Sequence, residues 1–111
     1  MSTRANIILK DGDSKLIFYR HSDGYPEGTL PILNAFLDRV KSGELRDSVS
    51  QSAGHLILMG RDEMHECFGK TIPKSYAWKA SFIEPSGMLA GDAEYHYTID
   101  LVNKTIKVKS V

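Results

Sequence analysis

Polar and apolar positions alternate toward both ends of this chain and fall at helical spacing between them. Residues 4–10, "RANIILK", and 15–21, "KLIFYRH", are short, rich in isoleucine, phenylalanine and tyrosine, and separated by "DGDS". Such runs read as two strands, and Asp11-Gly12 is hairpin punctuation because glycine reaches positive φ without a Cβ penalty. Period-two alternation sets Leu16, Phe18 and Arg20 on one face of the second strand, with Ile17, Tyr19 and His21 on the other. "GTLPILNAFLDRVKSGEL" follows, and Leu30, Leu33, Phe36, Leu37 and Val40 recur at the spacing of a helix with one buried stripe. Thr29 is the expected N-cap, Pro31 fits the first turn, and Gly43 supplies a left-handed stop.

Residues 50–64, "SQSAGHLILMGRDEM", support two readings. Ala53, Leu56, Ile57, Gly60 and Met64 form a helical stripe, whereas "HLILM" between Gly54 and Gly60 would suit a short buried strand. Helix is favoured, with the interior glycines admitting close packing. Beyond it, "SYAWKASFIE" alternates with Tyr76, Trp78, Ala80 and Phe82 on one face, and "PSG" reads as a turn. "DAEYHYTIDL" alternates more strictly, "VNK" turns on Asn103, and "TIKVKSV" closes the chain. These read as three sequential antiparallel strands.

The expected order is therefore ββ-αα-βββ over a single domain, residues 1–111. The expected fold class is α+β: a two-layer sandwich of a five-stranded antiparallel sheet with two helices on one face. Ile8, Ile17, Tyr19 and Ile83 leave apolar surface on the second face. A partner copy would shield it, so a homodimer is expected.

Composition narrows the function classes. The 111 residues carry 14 basic and 14 acidic side chains, a formal net charge of zero. The cationic excess that nonspecific nucleic-acid binding draws on is absent, so nucleic acid is not the expected partner. The longest apolar run, Leu56-Ile57-Leu58-Met59, is far short of the roughly 20 residues that span a bilayer. "NIILK" is also too brief for a secretory leader. The single cysteine, Cys67, permits no intramolecular disulfide, which fits a cytoplasmic setting.

The least ordinary stretch is residues 19–31, "YRHSDGYPEGTLP". It joins the end of a strand to the start of a helix and holds the candidate binding residues Tyr19, Arg20, His21, Asp23, Tyr25 and Glu27. A helix N-terminus attracts anions, Arg20 and His21 add donors, and the tyrosines could stack on a ring. Against this, Asp23 and Glu27 would repel an anion and could engage those donors themselves. The plainer reading is a stiff corner, turned by Asp23-Gly24 and Pro26, in which Arg20 pairs with Asp23 or Glu27.

Catalytic and metal signatures are weak. His21 and Asp23 are two apart, as are His65 and Cys67, but neither CxxC pairs nor HExxH occurs. No GxSxG elbow, phosphate loop or dinucleotide fingerprint is present, and no cofactor is implied. The aromatic positions Tyr76, Trp78, Phe82, Tyr95 and Tyr97 lack basic flanks on their own face, so core packing is preferred over base stacking.

"STRANIILKDG", "YRHSDGYPEG" and "GDAEYHYTIDL" together resemble a group of small bacteriophage and prophage proteins, several with an H-x-D-G-Y-P segment. Here that segment is His21, Asp23, Gly24, Tyr25 and Pro26. The resemblance implies the cytoplasm of an infected bacterium and action by binding. Two forms of counter-defence fit: blocking a host protein, or sequestering a small anionic molecule. The alternative is a small enzyme using His21 and Asp23 in acid–base chemistry on a nucleotide-like substrate.

Overall fold

The N-terminal strand is buried along nearly its whole length, which marks it as the centre of a sheet. A computed structural model, describing residues 3–68 and 81–111, gives β1 (Ala5–Lys10), β2 (Lys15–Arg20), α1 (Pro26–Lys41), α2 (Val49–Phe68), β3 (Glu84–Ser86), β4 (Tyr95–Asp100) and β5 (Thr105–Ser110). The class is α+β, and among the described residues the elements follow in the expected order, although the third strand is Glu84–Ser86 and Ser81, Phe82 and Ile83, expected within it, are not strand. The proposed strand residues Tyr76, Trp78 and Ala80 lie outside the described residues.

The sheet order is β3-β2-β1-β4-β5. It is mixed, and this corrects the wholly antiparallel expectation: β4 runs parallel to β1, while the other pairings are antiparallel. Alternation along a strand fixes which face is packed, but it does not name the neighbour or its direction. β2 takes one edge of β1 through the Gly12 hairpin, and β3 takes the outer edge of β2. The β4–β5 hairpin then fills the remaining edge of β1. β3 and β4 are therefore not neighbours. "PSG" is not a turn either, since Pro85 and Ser86 belong to β3.

One face of this sheet meets the helices. Ala5, Ile7 and Leu9 of β1, Phe18 of β2, and Tyr97 and Ile99 of β4 share a core with Leu33, Phe36, Leu37 and Val40 of α1 and Val49, Ala53 and Leu56 of α2. Ile83, expected on the opposite face, is fully buried in this same core. On the second face, Ile8, Ile17 and Tyr19 are half-buried. Asn6 is fully buried there because its side chain brackets the Ala90 backbone: Nδ2 donates to Ala90 O at 3.1 Å, and Ala90 N donates to Asn6 Oδ1 at 3.0 Å. The connection between β3 and β4 thus crosses over the sheet at Asn6.

Both helices depart from the expected ends in instructive ways. α1 begins a turn early, with Tyr25 as N-cap and Pro26 at the first helical position, where its fixed φ is pre-organised. Thr29 is therefore inside the helix instead of capping it, and Pro31 lies in the helix interior. Gly43, at φ 85°, stops the helix as expected. Residues 50–64 are helical, within α2. Its first turn has no acidic residue, and the Val49 N–H instead donates to Asp11 Oδ2 at 2.9 Å. Asp11 Oδ1 also accepts from Ser14 N at 3.0 Å. One carboxylate thus ties the β1–β2 turn to a helix start, the place where negative charge is favoured. In the β4–β5 turn, the left-handed residue is Lys104, at φ 55°, and not Asn103, which instead bonds Asp100.

The two glycines of α2 have opposite surroundings. A Cβ on Gly60 would sit 2.5 Å from Ser81 Oγ and 2.8 Å from Ile83 N, so only glycine lets residues 81–83 lie against the helix. A Cβ on Gly54 would meet nothing within 4 Å. Gly60→Ala is expected to destabilise by about 1–3 kcal/mol through overpacking. Gly54→Ala is expected to be neutral or stabilising by up to about 1 kcal/mol. Urea unfolding of the two variants checks the contrast.

Asp11 and Asp100 also set a pH dependence. Both carboxyls are held below the ordinary 3.8, Asp11 chiefly by the Val49 N–H and Asp100 chiefly by the Asn103 N–H. A depressed folded value gives stabilisation that is complete above 3.8 and is lost as pH falls through the lower folded values. Asp11→Asn is expected to lower stability at neutral pH and to shallow the acid fall, as measured by urea midpoints across the acid range.

Candidate functional site at the β2–α1 corner

Arg20 is the last residue of β2, and strand alternation turns it to the same side as Phe18, into the core. It is 0% exposed. A guanidinium can lie there only if its charge and donors are matched. Nη1 and Nη2 donate to Glu63 Oε1 and Oε2 of α2 at 2.6 and 2.8 Å, a bidentate pair. Nε donates to Asp23 O at 3.2 Å, and Nη2 also reaches Gly28 O at 3.4 Å. The Phe82 ring centre lies 5.4 Å from Cζ, within cation–π reach. The ionic partner is therefore Glu63, not Asp23 or Glu27, and Asp23 contributes its carbonyl alone.

The loop folds around that guanidinium. Asp23 adopts φ 56°, a left-handed conformation that aspartate tolerates. Its carbonyl accepts from Arg20 Nε and, at 2.8 Å, from the Thr29 hydroxyl. Gly24 is wedged against the N-terminal strand. Its N–H donates to Thr3 O at 2.8 Å, and its carbonyl accepts from the buried Tyr97 hydroxyl at 2.6 Å. A Cβ there would lie 2.8 Å from Thr3 O and 2.9 Å from the Ala5 Cβ, so glycine at this position is dictated by close approach. Burial pushes the Tyr97 phenol up.

An anion-binding corner needs donors that face open space. This one is instead filled by its own groups. At the start of α1, Pro26 has no N–H, while the Gly28 and Thr29 N–H groups both donate to Tyr25 O at 3.0 Å. The Glu27 carboxylate shares that first turn. An anion would find little there.

The six sequence-derived residues separate accordingly. Arg20 points inward. Tyr19 and His21 meet outside, with the Tyr19 hydroxyl hydrogen-bonded to His21 Nδ1 at 2.8 Å. Desolvation raises the Tyr19 phenol. Asp23 exposes its carboxylate, and Tyr25 and Glu27 lie exposed at the start of α1. Of the six, His21 borders a described cleft. That cleft, of about 210 Å³, is lined by His21, Ser22, Met64, Ser81, Phe82 and Glu84. Ser81 already donates to Ile57 O, at 2.8 Å.

Five of those lining residues were missed. Only Ser22 lies within the motif. Met64 comes from α2, and Ser81, Phe82 and Glu84 come from the run into β3, so only the tertiary fold assembles them. The other histidines lie elsewhere: His96 meets Asn6, and His55 meets Arg39. The side chains of His65 and Cys67 fall outside the described set. Among the described residues, no three His, Cys, Asp or Glu side chains come together as metal ligands. No helix among them is long and apolar enough to cross a membrane. The chain matches no protein-family model, no curated protein and no solved structure.

Glu63→Ala would leave a buried guanidinium without its counter-charge and is expected to cost about 3 kcal/mol. Replacing both Arg20 and Glu63 by Met is expected to be milder than the single change, because no isolated charge remains. Urea unfolding of the two variants measures the difference.

Proposed function

We propose that this protein acts by binding, and that the cleft between His21-Ser22 and Phe82-Glu84 receives a small group of its partner. The observation that carries the reading is the mixed lining of that cleft: an imidazole, two hydroxyls and a carboxylate beside Met64 and Phe82. A few polar groups on an apolar wall are the usual makeup of a recognition pocket. At about 210 Å³ the cleft is smaller than the roughly 300 Å³ of drug-sized sites. It suits one side chain of a partner protein or a very small metabolite.

The chemistry favours a neutral or cationic group. Glu84 lines the cleft, while the charge of the nearby Arg20 is neutralised by Glu63. An anionic small molecule fits less well. The likeness of His21, Asp23, Gly24, Tyr25 and Pro26 to phage-encoded proteins supports a setting in an infected bacterial cell, with counter-defence by blocking a host protein. Acid–base catalysis by His21 and Asp23 finds less support, because His21 Nδ1 is engaged by Tyr19.

The reading carries two finer expectations. The helices are taken as one layer over the sheet, supported by the shared core. A homodimer through the second face would cover the half-buried Ile8, Ile17 and Tyr19, and sedimentation at micromolar concentration tests it.

The cleft itself is tested by native mass spectrometry of the full chain after incubation with bacterial lysate. Wild type is expected to retain an adduct, and Ser22→Trp, which fills the cleft, is expected to lose it with an unchanged circular dichroism spectrum. Glu84→Gln is expected to weaken retention about tenfold, through loss of a charge-assisted hydrogen bond. An adduct held equally by Ser22→Trp, or none on wild type, would contradict the proposal.

A further inference from the structure

The two edges of the sheet are unlike. β3 is three residues long with Pro85 at its centre, a blunted edge that cannot extend a ladder. β5 is six residues long, holds no proline, and pairs with β4 in unbroken register from Thr105 to Ser110. It is exposed except at Ile106, which is half-buried against the core. In an antiparallel ladder, successive residues turn their backbone groups to alternate sides. The bonds Leu101 N–H to Lys10 O and Val111 N–H to Glu94 O fix the phase. Thr105, Lys107 and Lys109 therefore face β4, and the N–H and carbonyl groups of Ile106, Val108 and Ser110 face an edge that is open among the described residues.

The side chains of β5 carry a second pattern. Ile106 and Val108 lie on the core face, opposite Ile99 and Tyr97, and Val108 remains 41% exposed. Lys107 and Lys109 lie on the other face, opposite Thr98 and His96. Among the described residues neither lysine has an ion-pair partner, whereas neighbouring Lys104 reaches Asp47 at 3.5 Å. A second copy of β5 is a poor occupant. The two-fold antiparallel register centred on Val108, which joins the outward groups of Ile106, Val108 and Ser110, sets Lys107 of each copy against Lys109 of the other, and like charges directly opposite destabilise.

We infer that β5 is a strand-addition site for an extended acidic segment of another protein, one that alternates carboxylate and apolar side chains. Its backbone bonds to Ile106, Val108 and Ser110, its acids face Lys107 and Lys109, and its apolar side chains cover Val108. The site is independent of the cleft, on the opposite edge of the sheet from β3.

The test is amide NMR of the full chain titrated with a synthetic peptide of alternating glutamate and valine. The Ile106, Val108 and Ser110 amides are expected to shift and to exchange more slowly, with weaker binding as ionic strength rises. A lysine–valine peptide is expected to bind roughly tenfold more weakly. The double variant Lys107→Glu, Lys109→Glu is expected to reverse that preference. Val108→Pro removes one outward N–H and no bond to β4, and is expected to abolish binding in a folded protein. No response at the three amides, equal binding of both peptides, or concentration-dependent protection of β5 without peptide would overturn the inference.

Discussion

A single charge placed at the end of a core-facing strand governs this structure. Alternation leaves Arg20 no choice of side: with Phe18 in the core, Arg20 must enter it too. Burying a guanidinium costs several kcal/mol unless its donors are met in good geometry. The fold answers with Glu63 from α2 and with carbonyls from the loop that follows β2. That requirement explains the left-handed Asp23, which aims its carbonyl at the guanidinium. The contact with Gly28 O ties the first turn of α1 to the same guanidinium. β2, α2 and the corner are joined at one ionic centre, and the cleft lies along its outer side.

Much of this was legible in the sequence. The hairpin, the helical stripe of α1 and the alternation of β4 and β5 each rest on local periodicity, and each lies where that periodicity put it. The glycines of residues 50–64 did not break the helix, because Gly60 is there for close approach and Gly54 faces open space. What local pattern could not convey was partnership. The parallel pairing of β4 with β1, the place of β3 beside β2, and the burial of Ile83 depend on which edges were still free. No single strand records that.

The candidate site divides along the same line. The sequence directed attention to this corner and to the donors of Arg20, which the Asp23 and Gly28 carbonyls and the Glu63 carboxylate meet. Glu63 could not be nominated, being one of several acids in a helical run with its partner far off in the chain. The cleft residues Met64, Phe82 and Glu84 belong to elements remote from the motif. Their placement follows from Gly60, which draws residues 81–83 onto α2, and from the pairing of β3 with β2. The motif supports the site more than it lines it.

If the Arg20–Glu63 pair holds the corner together, weakening it should open the corner locally. Native-state hydrogen exchange at the Gly24 amide, which is bonded to Thr3 O, reads this directly. In Glu63→Gln, which keeps the shape and removes the charge, Gly24 is expected to exchange about a hundredfold faster than in wild type. A Gly24 amide as protected in Glu63→Gln as in wild type would show that the corner stands without the ion pair.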